Sequence, residues 1–310
     1  MLRWLGLAFC FSALCIIGTA SAQAPDGLGG RILFVKDGDL WVYDASGAHQ
    51  LATGGTFSQP SWAPDGASLA YVYKGTNFAD IFITDEQGQS QTRLTSSQST
   101  VLDNNDWNFR PTWSPDGKLI AFVSDKSSTF PTLWLMNAAD GSGRRGVATP
   151  GLQQEAVDAV SWSPDGTQLA VTLFNEPGPT QIALVALGTT GRQTSRLLTS
   201  QPGGALDPAW SPDGTWVAYA GHDGYAIEMY AVHPDGTTVT RLTADAQLAR
   251  SPTWSPDGRH LAYLSSRTGF FEVWVIDLQL DGSGVLVASA PRQLTQDLRL
   301  DAASGLSWGR

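Results

Sequence analysis

Cysteine is nearly missing from this 310-residue chain: there are two, Cys10 and Cys15, both within the first 22 residues. A polypeptide that begins after that segment has no disulfide, no thiolate metal site and no thiol nucleophile. Histidine is scarce as well, with only His49, His222, His233 and His260, too few and too scattered for an imidazole-built metal centre. Charged residues make up 15% of the chain, and 29 Asp and Glu stand against 19 Lys and Arg. That acidic balance disfavours nucleic acid and anionic membrane surfaces as partners. Long apolar runs are lacking except for Leu5 to Ile17, which follows Arg3 and precedes Gly18-Thr19-Ala20-Ser21-Ala22. This is the pattern of a secretory signal peptide over 1–22, with cleavage expected after Ala22. The run is short of the ~20 residues of a membrane span, so no stable membrane insertion is expected. Phe9 and Leu14 precede the cysteines where lipid attachment needs a small residue. The expected location is periplasmic or extracellular, where a disulfide-free fold suits a bacterial exported protein.

What the chain does have is a period. Trp62, Trp113, Trp162, Trp210, Trp254 and Trp308 recur at spacings of 51, 49, 48, 44 and 54 residues. Five of them sit in SWAPDG (61–66), TWSPDG (112–117), SWSPDG (161–166), AWSPDG (209–214) and TWSPDG (253–258). A repeat of this length marks a propeller blade of four strands. In residues 112–149 the blade reads as a short strand at Thr112–Ser114, a Pro115-Asp116-Gly117 turn, a strand Leu119–Val123, a strand Leu133–Met136, and an outer strand near Val147–Thr149. Apolar, β-branched and aromatic runs between Gly, Asp and Pro turns are strand signals, and no helical period competes. The chain opens on strands two to four of a blade (31–52) and closes on a lone first strand around Trp308. Joined, they complete a ring of six blades. The expectation is an all-β, six-bladed β-propeller spanning 31–310, after a short linker at 23–30, and closed by N- and C-terminal strands in one sheet.

The WSPDG-(K/T)-x-(I/L)-A-(F/Y) string, with an (I/L)-(W/F/Y)-(V/I/L) strand and an R-L-T strand following, resembles the WD40-like PD40 repeat of TolB-like propellers. The resemblance covers essentially all of 31–310. It implies a propeller fold and a protein-binding role in the cell envelope. The α/β domain that precedes the propeller in TolB is not expected, since only Gln23–Gly30 separates the leader from the first strand. Related blades also occur in prolyl-oligopeptidase-like enzymes and in uronate lyases. No span is left over for a hydrolase domain, and the histidines do not converge as a lyase-like metal site would require.

The five turn aspartates, Asp65, Asp116, Asp165, Asp213 and Asp257, fall in different blades and are read as turn stabilisers rather than an acid cluster. Asp37-Gly38-Asp39 and Asp103-Asn104-Asn105-Asp106 resemble calcium ligands faintly but match no EF-hand spacing; no cofactor is expected, calcium being the one ion left open. The better prospect is the face carrying the second–third loops and the loops before each first strand. There Trp107, Phe109 and Arg110 are the expected partner anchors, aromatic and Arg being interface hot-spot chemistry. Asp158, Asp207 and Arg250, with Gln59, are placed around the channel mouth. Second–third loops add Phe78, Phe130, Glu176, His222, Asp223, Tyr225, Arg267, Phe270 and Phe271. The reading is a monomeric, non-catalytic scaffold that takes an envelope protein or peptide at this face. A carbohydrate-binding or uronate lyase-like propeller using the same funnel is the alternative.

Overall fold

The computed structural model describes residues 27–97, 105–126, 128–152, 156–174, 178–188 and 193–310. The expected signal segment, the first half of the linker (23–26), and Asp103, Asn104 and Glu176 lie outside them. Blade one begins with β1 (Arg31–Lys36), β2 (Asp39–Asp44) and β3 (Gly47–Ala52). Blade two is β4 (Phe57–Trp62), β5 (Ser68–Lys74), β6 (Ala79–Asp85) and β7 (Thr92–Arg93). Blade three is β8 (Asn108–Trp113), β9 (Leu119–Ser124), β10 (Thr132–Asn137) and β11 (Arg145–Gly146). Blade four is β12 (Val157–Trp162), β13 (Gln168–Leu173), β14 (Gln181–Ala186) and β15 (Thr194–Leu197). Blade five is β16 (Ala205–Trp210), β17 (Val217–Asp223), β18 (Ala226–Val232) and β19 (Val239–Arg241). Blade six holds β20 (Ala249–Trp254), β21 (His260–Ser265), β22 (Glu272–Leu280), β23 (Leu286–Ala288) and β24 (Arg292–Gln293). The last strand, β25 (Ser307–Gly309), returns to blade one.

Closure is as expected. Arg31 pairs with Gly309, Ile32 with Trp308 and Leu33 with Ser307, antiparallel, so the two ends share one sheet. The described residues contain six antiparallel blades and no helix. Blade six carries an addition that the period does not announce. β24 takes the outer position beside Trp274, while β23 forms a separate hairpin with the overlong end of β22 at Leu278–Leu280. Blade three's outer strand lies two residues earlier than expected, at Arg145–Gly146, because Val147 turns inward and is buried.

The core is a set of seams between blades, and small–large pairing builds it. Successive residues of a strand face opposite sides, so Ala-Phe or Ala-Tyr in a second strand presents a small group to one neighbour and a ring to the other. Phe122 packs in the seam that holds Ala70 of the preceding blade. Tyr219 meets Ala170 in the same way, Tyr263 meets Ala218, and Phe34 meets Ala262 across the closure. The tryptophans staple the seams. The indole N–H groups of Trp113, Trp162 and Trp254 donate to the carbonyls of Ser61, Thr112 and Ala209 in the preceding blade, at 3.2, 3.2 and 2.9 Å. That of Trp308 reaches Gly29 at 2.8 Å.

Two side-chain devices repeat with the blades. In the Ser-Pro-Asp-Gly turns the serine hydroxyl and the amide two residues beyond the aspartate both donate to its carboxylate. Asp165, for example, accepts from Ser163 at 2.6 Å and from the Thr167 amide at 3.0 Å, and these bonds hold its carboxyl below the usual range. The following Gly66, Gly117, Gly166, Gly214 and Gly258 adopt φ of 68–76°, a region that L side chains disfavour. The second device explains R-L-T. Its threonine accepts from a third-strand amide and donates to an acid or amide within the first three residues of that strand: Thr95 to Asp80, Thr199 to Gln181, Thr243 to Glu228 and Thr295 to Glu272.

Candidate functional site

The first strands are longer than their sequence suggests. Phe109, Arg110, Asp158, Asp207 and Arg250, expected on loops, all lie within β8, β12, β16 and β20. The reason is a β-bulge in each of the first strands β4, β8, β12, β16 and β20: pairing to the second strand skips the third and fourth residues, or in β12 the second and third, Asp158 and Ala159. Three residues before the repeat tryptophan, Gln59, Arg110, Asp207 and Ser251 adopt φ of 50, 52, 52 and 53°, and Gly305 has φ of 77°. A left-handed non-glycine residue costs of order 1–3 kcal/mol, so four at one repeat position are held there by something. Proline follows each of these four, at Pro60, Pro111, Pro208 and Pro252. Having no N–H, it suits the bulge and would break an uninterrupted ladder.

What holds them is a relay around the channel. Each left-handed amide turns away from its own sheet and donates to the preceding blade. Gln59 N–H goes to the Ser304 carbonyl at 2.9 Å. Arg110 N–H goes to Gln59 Oε1 at 2.8 Å, Asp207 N–H to Thr172 Oγ1 at 3.1 Å, and Ser251 N–H to Asp207 Oδ2 at 3.1 Å. Below this tier, the hydroxyls of Ser307, Ser161 and Thr253 accept the main-chain N–H of Trp62, Trp210 and Trp308. The six blades together surround an open cavity of about 190 Å³, lined by such segments as Gln59–Ser61, Arg110–Thr112, Asp207–Ala209 and Ser251–Thr253.

One charge network borders this cavity through Arg110 and Asp207. Asp207 is buried, with Arg250 Nε at 2.7 Å and Arg110 Nη2 at 3.7 Å; the same Arg110 atom is 3.7 Å from Asp158. Burial pushes the Asp207 carboxyl up, but the two guanidinium groups and the Ser251 amide outweigh it and hold it below the usual carboxylate range. Burial lowers Arg250, and the Asp207 charge more than restores it. Of the sequence-derived residues, Arg110, Asp158, Asp207 and Arg250 therefore converge from four first strands.

The others do not join them. Trp107 is half-buried, stacked on Phe109 at 5.9 Å, with its amide fixed by Asp125 at 2.7 Å. Phe109 packs against the seam between blades three and four. Asp223 pairs with Arg241 at 2.8 Å; Arg267 pairs with Asp245 at 3.2 Å and lies over Trp274. His222 sits near the end of β17, apart from the other histidines. Phe78 is buried and Phe271 packs into a seam. Tyr225 and Phe270 stand exposed, as do Phe130 and Phe174, at 104, 52, 61 and 38% respectively. Each of these four is on a second–third loop, and they fall in blades three to six consecutively. Phe174 escapes a reading of the sequence because it directly extends the apolar run of β13. Ser251 escapes it as well, though the recurrent Pro two residues before Trp marks its position.

Among the described residues no three or more His, Cys, Asp or Glu side chains gather as a metal-holding group. Asp39 of the Asp37-Gly38-Asp39 turn is engaged by the amides of Gly54 and Gly55 and by Gln50, and Asp106 by Lys126. One G-x-S-x-G string occurs, Gly305-Leu306-Ser307-Trp308-Gly309. It is not a nucleophile elbow, which needs a strand-to-helix turn. Ser307 lies in β25 and accepts the Trp62 amide at 2.9 Å.

Comparison with known proteins agrees with this geometry. Residues 151–293 match the TolB beta propeller domain family, and residues 31–150 match the dipeptidyl peptidase IV N-terminal region. The chain is 34% identical over 154 residues to a TolB homolog of Chlorobium luteolum, covering 50% of this chain and 31% of that protein. It is 25% identical over 201 residues to the uncharacterized peptidase YuxL of Bacillus subtilis, covering 53% and 29%. These matches span less than a third of either relative's length. TolB from Acinetobacter baumannii superposes with a TM-score of 0.70 at 19% identity, over 90% of this chain and 66% of that one. The chain is a TolB-like six-bladed propeller.

Proposed function

We propose that this TolB-like propeller is an exported, non-catalytic, monomeric binding protein of the cell envelope, which takes a protein or peptide segment at its loop face around the channel mouth. The observation that carries the reading is the arc of exposed rings, Phe130, Phe174, Tyr225 and Phe270, on one face of four consecutive blades. Among the described residues, the large aromatic side chains left exposed are these four. Aromatic groups presented on loops above a rigid ring are the material of protein interfaces. The likeness to TolB and the leader-like first 22 residues support the envelope as the setting.

Site-specific photocrosslinking in the native cell tests this. A benzophenone side chain placed at Phe130, Tyr225 or Phe270 should capture one protein reproducibly, while the same group at Lys118 or Thr167, on the turn face, should not. Equal capture from both faces overturns the assignment. A second reading, a propeller working beside a peptidase domain, is favoured by the match of 31–150 to the dipeptidyl peptidase IV region. Covalent labelling of a co-purifying polypeptide by a serine-directed fluorophosphonate would support it.

A further inference from the structure

Two members of the channel relay do not serve it. Gln59 and Asp207 each present an acceptor to the left-handed amide of the next blade. Arg110 has no acceptor to offer, and the next blade has Ala159 at that position, without a positive φ. The Ser251 hydroxyl could accept, yet its Oγ is buried without a partner among the described residues, and the residue is 7% exposed. Arg110 Nε is likewise buried without a partner. Its Nη2 stands 3.7 Å from Asp158 and Asp207, within ion-pair range but beyond a hydrogen bond. Both residues line the cavity, and both flank Asp207, Arg110 at Oδ1 and the Ser251 amide at Oδ2. Buried donors without acceptors are few in folded proteins, and each calls for a cause.

We propose that Arg110 and Ser251 form a carboxylate subsite in the channel, filled by one acidic side chain or a chain-terminal carboxylate of the peptide taken at the loop face. The Nε–Nη2 edge of a guanidinium presents two parallel donors that match the two oxygens of a carboxylate. Ser251 adds a third donor. Two arginines and two aspartates make the network neutral, so a single negative charge enters without the double excess a phosphate dianion would bring. The cavity of about 190 Å³ corresponds to roughly six waters at ~30 Å³ each, room for a side chain and not for a folded element. The subsite deepens the peptide-binding reading and rests on it for the source of the ligand.

The test uses the full ¹⁵N-labelled chain and small probes, so it needs no native partner. The Nε–H resonance absent from Arg110→Lys identifies Arg110. N-acetylglutamate amide, with a side-chain carboxylate, or N-acetylglycine, with a terminal one, should shift it saturably with a Kd on the order of 1 mM. A response to one probe alone assigns the source; a response to both leaves the shared chemistry standing. N-acetylglutamine amide and inorganic phosphate should leave the resonance unmoved. Followed at the backbone amide of residue 251, which both variants keep, Arg110→Lys, with an unchanged melting temperature, should weaken N-acetylglutamate amide roughly tenfold, and Ser251→Ala roughly threefold. No shift with either carboxylate, an equal shift with the glutamine amide or phosphate, or undiminished affinity in Arg110→Lys overturns the subsite. Carboxylate binding without loop-face crosslinks would keep the subsite and remove the partner reading, so the two failures are separable.

Discussion

Buried carboxylates occur in two settings in this propeller, and their partners differ in kind. Under the loops that lead from blade to blade, Asp80, Glu228 and Glu272 are satisfied locally. Glu228 accepts from Thr243 and the Ala246 amide, with Arg241 at 3.2 Å; Glu272 accepts from Thr295 and the amides of Leu298 and Arg299. Asp207, in the channel, is held by Arg250 and Ser251 of the next blade and by Arg110 of blade three. The first arrangement recurs in blades two, five and six, where an acid lies within the first three residues of the third strand and R-L-T or its variant ends the blade. The second occurs once among the described residues. A feature that the repeat copies is there to build the blade. A feature at a repeat position where every blade has a different residue is free to recognise something, and the position three before each tryptophan is such a place.

The largest effect that separates the two settings is expected at Asp207. Asp207→Ala leaves Arg250 and Arg110 buried without their counter-charge and should destabilise by about 3–5 kcal/mol, read from the urea midpoint. Glu228→Gln keeps the shape, and Arg241 is exposed enough to rehydrate, so about 1–2 kcal/mol is expected there. Equal losses would erase the distinction. Acid titration sharpens it. Hydrogen bonds and Arg241 overcome burial to hold Glu228 below its usual value, as the arginines do for Asp207. Carboxyls depressed in the folded state add stability that is complete above their unfolded pKa, roughly 4. That stability is lost as pH falls through the folded values. Stability should therefore be flat near neutrality and fall on the acid side of about pH 4, and Asp207→Asn should make that fall shallower. An unchanged acid limb in Asp207→Asn would mean that Asp207 does not carry the channel network.

The ring was legible because it rests on repeated groups: six tryptophans, the Pro-Asp-Gly turns, and a first strand at the wrong end of the chain. The reach of the first strands was not. A left-handed residue followed by proline breaks the alternation by which strands are recognised, so Arg110 and Asp207 read as loop. That same interruption aims them at the channel. Residues 110, 158, 207 and 250 each stand out in the sequence, yet their convergence depends on neighbours roughly 50 or 100 positions away in the chain, which no local pattern encodes. Trp107 and Phe109 show the reverse: beside Arg110 in sequence they read as one anchor with it, but the bulge turns Arg110 into the channel while the two rings stack together at the base of the strand.

The smallest effect on stability should come from the outermost groups, which makes them the cleanest probe of function. Phe130→Ser, Tyr225→Ser and Phe270→Ser remove side chains that are more than half exposed, and surface changes of this kind stay within about ±0.5 kcal/mol. Phe270 is the most constrained of the three, since Arg299 lies over its ring at 4.4 Å, and an exposed cation–π contact is worth ~0.5–1 kcal/mol. The triple variant should keep its unfolding midpoint nearly unchanged and lose photocrosslinked partner introduced from the neighbouring Phe174 position. A large fall in the midpoint would show that the rings brace their own loops, as Phe78 does beneath Tyr73. Retained capture at full stability would move recognition from the arc inward, onto the arginines of the channel.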